Sequence, residues 1–189
     1  MSTGTTRRGG VATPAAILGA ASVAMGERGF DAVTLEEVGQ MLGITRGAVL
    51  YHFPTKAAVL QALVVPFLEQ IDAMLDEAEA ADALAPRARR RLLTSFVDAL
   101  VLHRDVASMM ARDVSGQKQL APEQQLVLRT ARLAALLCGP DPTSATRIRA
   151  FCAIGAAVRP ITVRRDQLDL ADPAARKVIV ASALAALRG

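Results

Sequence analysis

The sequence predicts an all-α protein of about nine helices, and three observations support this fold class. Alanine and leucine dominate, tyrosine occurs once and tryptophan is absent, a composition that favours helix over strand. Apolar residues recur every three or four positions along most of the chain, as expected for helices with one buried face. The sequence shows no strand-like alternation bounded by turn residues, so no sheet is expected.

The N-terminal part is expected to contain an arm followed by a first helix. Residues 1–12 carry two arginines among small residues, which predicts a flexible basic arm. Thr13 and Pro14 then supply a capping hydroxyl and a proline at the first helical position. We therefore expect a helix from Pro14 to the residue before Gly29.

Further helix starts follow closely. Thr34 and Glu37 have the spacing of a capping box, which predicts a short second helix that Gly43 ends. A third short helix is expected over about 45–52, and Thr55 caps a long fourth helix. The remaining helical segments are expected from Pro86, over about 104–114, from about Pro122 to Cys138, over about 142–158 with Arg159-Pro160 as its end, and from Asp172-Pro173 onwards.

The segment 34–56 is the most informative part of the chain. Two short helices joined at a glycine predict a helix-turn-helix, in which the second helix enters the major groove of DNA. That helix would present Thr45, Arg46, Gly47 and Ala48, which are polar or small, while Val49 packs inward. No aspartate or glutamate occurs between positions 38 and 68, whereas Arg46, His52 and Lys56 fall there, so this surface suits phosphates.

This segment resembles the N-terminal domain of the TetR family of transcriptional regulators. The resemblance rests on an ordered set of short motifs: Gly29-Phe30, Thr34 to Val38, Gly43 to Ala48, Tyr51-His52-Phe53 and Lys56. It implies contacts with double-stranded DNA, in which Arg46 and the Gly47-Ala48 backbone approach bases, Thr45 also touches DNA, and Thr34, Tyr51, His52 and Lys56 mostly hold phosphates. Leu50 departs from the family pattern, which usually has a tyrosine there, so either Tyr51 acts alone or the contacts shift in register.

The resemblance also implies a homodimer that binds a palindromic operator and is released by a small apolar effector. Residues 13–56 would form the DNA-binding domain, and 57–189 the effector-binding and dimerisation domain. Apolar residues of the last two helices would form the dimer interface: Ile148, Phe151, Ile154, Val158, Val180, Leu184 and Leu187. Helical position and chemistry, rather than a motif, select the candidate effector-pocket residues: Phe67, Phe96, Leu100, His103, Met109, Met110 and Phe151.

Each of these assignments has a structural alternative. Thr34 could serve only as a helix cap, His52 could be structural, and the candidate pocket residues could be ordinary core. The Arg112-Asp113 pair invites an acid–base interpretation, but a salt-bridged surface or pocket wall fits a helical stretch without a nucleophile better.

Other function classes are less well supported. The same DNA-binding segment would suit an activator, or a protein that recruits another without an effector. An enzyme is not expected, because the chain has two histidines and no metal-ligand cluster, glycine-rich phosphate loop or nucleophile motif. Two distant cysteines indicate neither a disulfide framework nor a zinc site, and no metal or cofactor is expected.

The net charge and the apolar runs of the chain bear on its partners and its location. The net charge of +4 permits an anionic partner without demanding one. No targeting segment is recognised, and no run approaches 18 strongly apolar residues, so a cytoplasmic protein without a membrane partner is expected.

Overall fold

The computed structural model describes residues 13–81, 86–163 and 168–188, and every regular element within these ranges is helical. The expected arm, residues 1–12, lies outside the described residues. The elements are α1 (Pro14–Arg28), α2 (Leu35–Leu42), α3 (Arg46–His52), α4 (Lys56–Ala80), α5 (Pro86–Leu102), α6 (Arg104–Arg112), α7 (Val114–Lys118), a 3-10 turn (Pro122–Gln124), α8 (Leu126–Cys138), α9 (Ser144–Val163) and α10 (Pro173–Arg188). The predicted all-α class is confirmed.

The predicted caps Thr13, Thr34 and Thr55 are confirmed, and the structure adds Thr45 as the cap of α3. Thr13, Thr34, Thr45 and Thr55 each stand at the N-cap, where the side-chain oxygen accepts a hydrogen bond from a backbone N–H of the first turn. Gly43 ends α2 with φ 68°, in the left-handed region that glycine adopts without strain. These short local signals fix the boundaries of the first three helices.

Two predicted boundaries were wrong. The segment expected over about 104–114 is two helices, because Asp113 interrupts it and accepts hydrogen bonds from the first N–H groups of α7. Helix α9 does not end at Arg159-Pro160 but continues through Pro160 to Val163. Ile161 and Thr162 are buried, so tertiary packing of this last turn outweighs the backbone hydrogen bond that proline cannot make.

The helices form one continuous core. Helix α1 packs against α2, α4 and α6, while α9 packs against α10, α8, α6 and α5. Helix α4 runs between these two groups and buries eight side chains, from Val59 to Leu75, on a single stripe. The helix-turn-helix segment and the larger helical region therefore both pack against α4.

Helix α4 is long and apolar enough to cross a membrane by length and composition, a property that the sequence analysis missed. Its most apolar window has a mean hydropathy of 1.5. The core helix of a soluble protein meets the same criterion, and α4 packs against α1, α5, α6 and α8. The apolar stripe is accounted for by this packing.

Candidate nucleic-acid interface and effector cavity

The turn between α2 and α3 depends on a close backbone approach at Gly39. The Ile44 N–H donates to the Gly39 carbonyl at 2.9 Å. A Cβ at position 39 would lie 2.9 Å from the Ile44 carbonyl oxygen, a distance that real Cβ atoms essentially never show. A glycine at 39 therefore allows the two helices of the helix-turn-helix to pack at this angle.

Helix α3 presents a continuous outward face. Thr45 is exposed, and its hydroxyl oxygen accepts from the Ala48 N–H at 3.2 Å. Arg46, Gly47 and Ala48 are also exposed, and Tyr51 is 85% exposed. Five of the eight predicted DNA-binding residues thus share one solvent-facing surface.

The opposite side of α3 holds it to the core. Val49 is fully buried, as predicted, and Leu50 is half-buried against the core cluster. Leu50 therefore packs inward at the position where the family usually has an aromatic residue. His52 is half-buried, and its ring meets that of Tyr51 edge-to-face with centroids 5.1 Å apart.

Thr34 is exposed at the N-terminus of α2 and takes part in a complete capping box. Its backbone N–H donates to Glu37 Oε2 at 2.7 Å, and its hydroxyl oxygen accepts from the Glu37 N–H at 3.1 Å. Arg28 donates to the other Glu37 oxygen at 2.9 Å. The hydrogen bond from the Thr34 backbone, followed by that from Arg28, lowers the pKa of Glu37 from 4.5 to about 2.

Lys56 has partners that the sequence analysis did not anticipate. Its ammonium donates to the carbonyls of Phe30 at 2.9 Å and Val33 at 3.0 Å, and lies 4.2 Å from the centroid of the Phe30 ring. The side chain therefore joins the α1–α2 loop to the first turn of α4. The ammonium thus binds within the helix-turn-helix head (residues 13–56), and its predicted phosphate contact stays a prediction.

A cavity of about 390 Å³ lies between α4, α5, α6, α7, α8 and α9. Five of the seven predicted pocket residues line it together: Phe67, Phe96, Leu100, Met110 and Phe151. The other lining residues are mostly apolar and come from the same helices: Ile71, Ala107, Ala111, Gln117, Leu126, Arg129, Thr130, Leu133, Ile154, Gly155, Val158 and Arg159. The size and the apolar wall are typical of a small-molecule site.

The two remaining predicted pocket residues lie elsewhere. His103 caps α6, where its Nε2 is 3.0 Å from Gln70 Oε1 and its ring is tilted against Phe67, so burial lowers its pKa. Met109 is buried on the side of α6 that faces α1. Both are on or beside α6, but this short helix turns only Ala107, Met110 and Ala111 to the cavity.

The polar lining residues were not predicted. Gln117, Arg129 and Arg159 carry no motif and lie on three different helices. Their helical position relative to the predicted apolar residues was the only available signal. Among the described residues, no group of three or more histidine, cysteine, aspartate or glutamate side chains could hold a metal ion.

The predicted dimer residues need correction. Val180 and Leu184 are buried inside the subunit, because α10 packs them against its own neighbours α9 and α5. Ile154 and Val158 line the cavity, and Leu187 is half-buried against the core. Of the six residues assigned solely to the interface, only Ile148 is exposed, at 63%. Phe151, which was also assigned to the interface, is 55% exposed on α9. The other exposed apolar or small residues of α9 and α10 include Ile148, Cys152, Val178, Ala181 and Ala185.

A short junction connects the cavity wall to the helix-turn-helix head. Asp113, between α6 and α7, accepts a hydrogen bond from the Phe30 N–H through Oδ2. Arg112 donates from Nη2 to the Gly26 carbonyl in the last turns of α1. The pair was expected to form a salt-bridged surface or a pocket wall. Both residues do line a surface pocket beside α1, and both side chains also bind the backbone of the head.

Comparison with known proteins identifies the family. The sequence profile described as bacterial regulatory proteins, tetR family, matches residues 17–63, which cover α1, α2, α3 and the start of α4. The probable HTH-type transcriptional regulator ArpR of Pseudomonas putida is 32% identical over 126 residues, 66% of this chain and 59% of ArpR. The chain belongs to the TetR family. The matched segment spans about three fifths of the length of this curated relative. The relative is described as a transcriptional regulator, which supports the expectation that this TetR-family chain is not an enzyme.

Solved structures extend the similarity to the whole fold. AmtR of Mycobacterium smegmatis matches with a TM-score of 0.72 at 18% identity, covering 97% of this chain and 89% of AmtR. SmeT, solved as a triclosan complex, matches with a TM-score of 0.55 at 23% identity, covering 92% of this chain and 90% of SmeT. At these identities the likeness shows the fold alone, and it extends beyond the helix-turn-helix segment to α10.

Proposed function

We propose that this TetR-family protein is a cytoplasmic, ligand-responsive repressor that binds a palindromic operator as a homodimer and leaves it when a small molecule fills the cavity. Residues 13–56 would be the DNA-binding domain and 57–189 the sensing and dimerisation domain. The observation that carries this proposal is the outward face of α3, where Arg46, Gly47 and Ala48 are exposed behind the Thr45 cap.

Each exposed residue of the head has a role that suits its chemistry. Arg46 can donate two hydrogen bonds to a guanine edge in the major groove, and the small residues after it let the backbone come close. Thr34, Tyr51 and His52 flank this face and can donate to phosphates. Lys56 contributes by positioning, since its ammonium holds the Phe30 and Val33 carbonyls.

The proposed dimer would form through the outward faces of α9 and α10. These faces combine large exposed apolar side chains, among them Ile148, Phe151 and Val178, with the small residues Ala181 and Ala185. Small residues allow helices to approach closely, so two copies could pack these helices against each other. Two-fold symmetry would then place two α3 helices in successive major grooves.

Through the Arg112-Asp113 junction, ligand binding in the cavity would change the position of the head. Met110 and Ala111 line the cavity immediately before it, and Gln117 lines the cavity immediately after it. A ligand that displaces this wall would move the groups that hold Phe30 and Gly26 in the head. The ligand would thereby favour one orientation of the head over another. SmeT, which shares the fold, was solved with a small molecule, and this supports a ligand-binding role.

The first test is selection of bound fragments from random duplex DNA at two salt concentrations. We expect a palindrome whose half-sites are about 34–36 Å apart, which is one helical turn. Recovery of salt-sensitive binding without any consensus would contradict the proposal of a specific operator. A reporter placed behind the recovered site then separates a repressor from an activator by the direction of its response.

Arg46 provides the matching mutational test. Arg46→Ala should weaken binding to the selected site by about 1–3 kcal/mol and relax preference at the base it contacts. Arg90→Ala is the control, because Arg90 is exposed on α5 and far from α3 in the chain. Equal losses from the two variants in a fluorescence-anisotropy titration would refute the assignment of Arg46 as a base contact.

A further inference from the structure

We propose that the ligand of the cavity is an amphipathic organic anion whose carboxylate binds Arg159 and whose apolar tail lies among phenylalanine side chains. This inference rests on the proposed function only for the assumption that the cavity is the effector site. It extends that function by naming the chemical class of the effector.

The charge of the cavity wall has a single sign. Arg129 and Arg159 are its only charged residues, and no aspartate or glutamate of the described ranges lines it. Coulomb attraction to a positive group favours anionic ligands over cationic ones, and no carboxylate in this lining would hold a cation. The wall therefore selects against cationic ligands.

Arg129 already has a partner within the protein. Its Nη2 lies 2.5 Å from Asp72 Oδ2, and its side chain is 13% exposed. Asp72 also lies 3.5 Å from Arg132, so this carboxylate joins a network of ion pairs between α4 and α8. Arg129 therefore serves the packing of these two helices, and its charge is compensated.

Arg159 is the charge left to bind a ligand. It is exposed on α9, and it forms no ion pair with any acidic residue in the ranges that the structure describes. A guanidinium group offers two parallel N–H donors that match the two oxygens of a carboxylate. Arg159 can make that contact without breaking an existing ion pair.

The interior suits an apolar tail. Phe151 lines the cavity about 12 Å along α9 from Arg159, given a rise of 1.5 Å per residue. Phe67 and Phe96 line it from α4 and α5, and Leu133 lines it from α8. A carboxylate at Arg159 would thus leave room for a small ring or short alkyl chain to pack against aromatic side chains.

The test compares three probes that share a phenyl ring and a four-carbon chain: 4-phenylbutyrate, 4-phenylbutanol and 4-phenylbutylamine. Calorimetric titration of the full chain should show the carboxylate binding about tenfold or more tightly than the alcohol, since a charge-assisted hydrogen bond contributes this much. The amine should bind most weakly. Arg159→Gln should bring the carboxylate and the alcohol to similar affinities.

Arg149→Gln is the matched control, because Arg149 is also exposed on α9 but does not line the cavity. It should keep the preference for the carboxylate. Equal binding of carboxylate and alcohol to the unmodified protein would overturn the proposal, as would a preference that survives Arg159→Gln or is lost in Arg149→Gln. Binding of none of the probes would overturn it as well, and intact operator binding in that case would leave the proposed regulatory function standing.

Discussion

A single substitution at Asp113 should weaken the link between the cavity wall and the helix-turn-helix head. Its Oδ1 accepts from the N–H groups of Ser115 at 2.9 Å and Gly116 at 3.1 Å, while its Oδ2 accepts from the Phe30 N–H. Asp113→Asn can keep the first oxygen as the cap of α7. It replaces the second oxygen with an amide nitrogen, which donates and so cannot accept from Phe30.

The expected cost follows from the hydrogen bond that is lost. A hydrogen bond to a charged group contributes about 1.5–3 kcal/mol, and the partly buried site lets water replace some of it. We therefore expect the free energy of unfolding to fall by about 1.5 kcal/mol. The same loss should speed amide hydrogen exchange at Phe30 by about tenfold if that amide exchanges by local opening.

The measurements are urea unfolding and site-resolved hydrogen exchange. Asp169→Asn is the control, because Asp169 Oδ1 makes one local bond to the Ala171 N–H at 2.9 Å on an exposed turn. This variant should change neither quantity. Unchanged stability and unchanged Phe30 exchange in Asp113→Asn would refute the idea that Asp113 ties the head to the sensing helices.

Two further predictions concern the head. Gly39→Ala places a Cβ 2.9 Å from the Ile44 carbonyl oxygen, so it should lower stability by about 1–3 kcal/mol and weaken operator binding. The control Gly19→Ala meets nothing within 4 Å on α1 and should raise stability by about 0.5–1 kcal/mol, and thermal melts that rank the two variants the other way would contradict the packing argument. Glu37 has a pKa near 2 in the folded chain against 4.5 ordinarily, so its stabilising effect is present above pH 4.5 and is lost as pH falls towards 2. Glu37→Gln should flatten the pH dependence of the melting temperature in that window, and an unchanged slope would show that Glu37 is not its source.

Local chemistry explains which parts of the fold could be predicted. A helix cap depends on residues three apart, so Thr34 with Glu37 could be recognised from the sequence and is present in the structure. The inward position of Val49 followed from the same local reasoning. Pro160 led to a wrong prediction of the end of α9, because the effect of a proline depends on tertiary packing. Buried Ile161 and Thr162 keep the helix intact beyond it.

The cavity and the proposed interface show the limit of apolar patterning. Five predicted residues line the cavity together because large apolar side chains in the middle helices do face one another. The same preference for large side chains selected Val180 and Leu184 for the interface, although they are part of the subunit's own core. A sequence pattern marks a buried position but does not say which partner buries it.

Lys56 has intramolecular partners that its motif did not indicate, while its phosphate contact stays a prediction. Its position in the family motif indicated DNA, whereas its ammonium binds carbonyls 23 and 26 residues earlier in the chain. Contacts over such separations depend on how α1 and α4 pack, which no local pattern encodes. The resemblance located the residue correctly within the head but not the partners of its side chain.

The unbroken path of α4 has a mechanical consequence. Lys56 at its first turn lies about 17 Å along the axis from Phe67 at the cavity, so a tilt of about 5° would displace the head by roughly 1.5 Å. Pro66 stands immediately before Phe67 and lacks the N–H that would bind the carbonyl of Ala62, which makes this turn easier to bend. In a two-fold assembly, opposite displacements of the two heads would add to about 3 Å. The half-site spacing that binds best would then depend on the distance between the two heads. That spacing would indicate which state of α4 binds DNA.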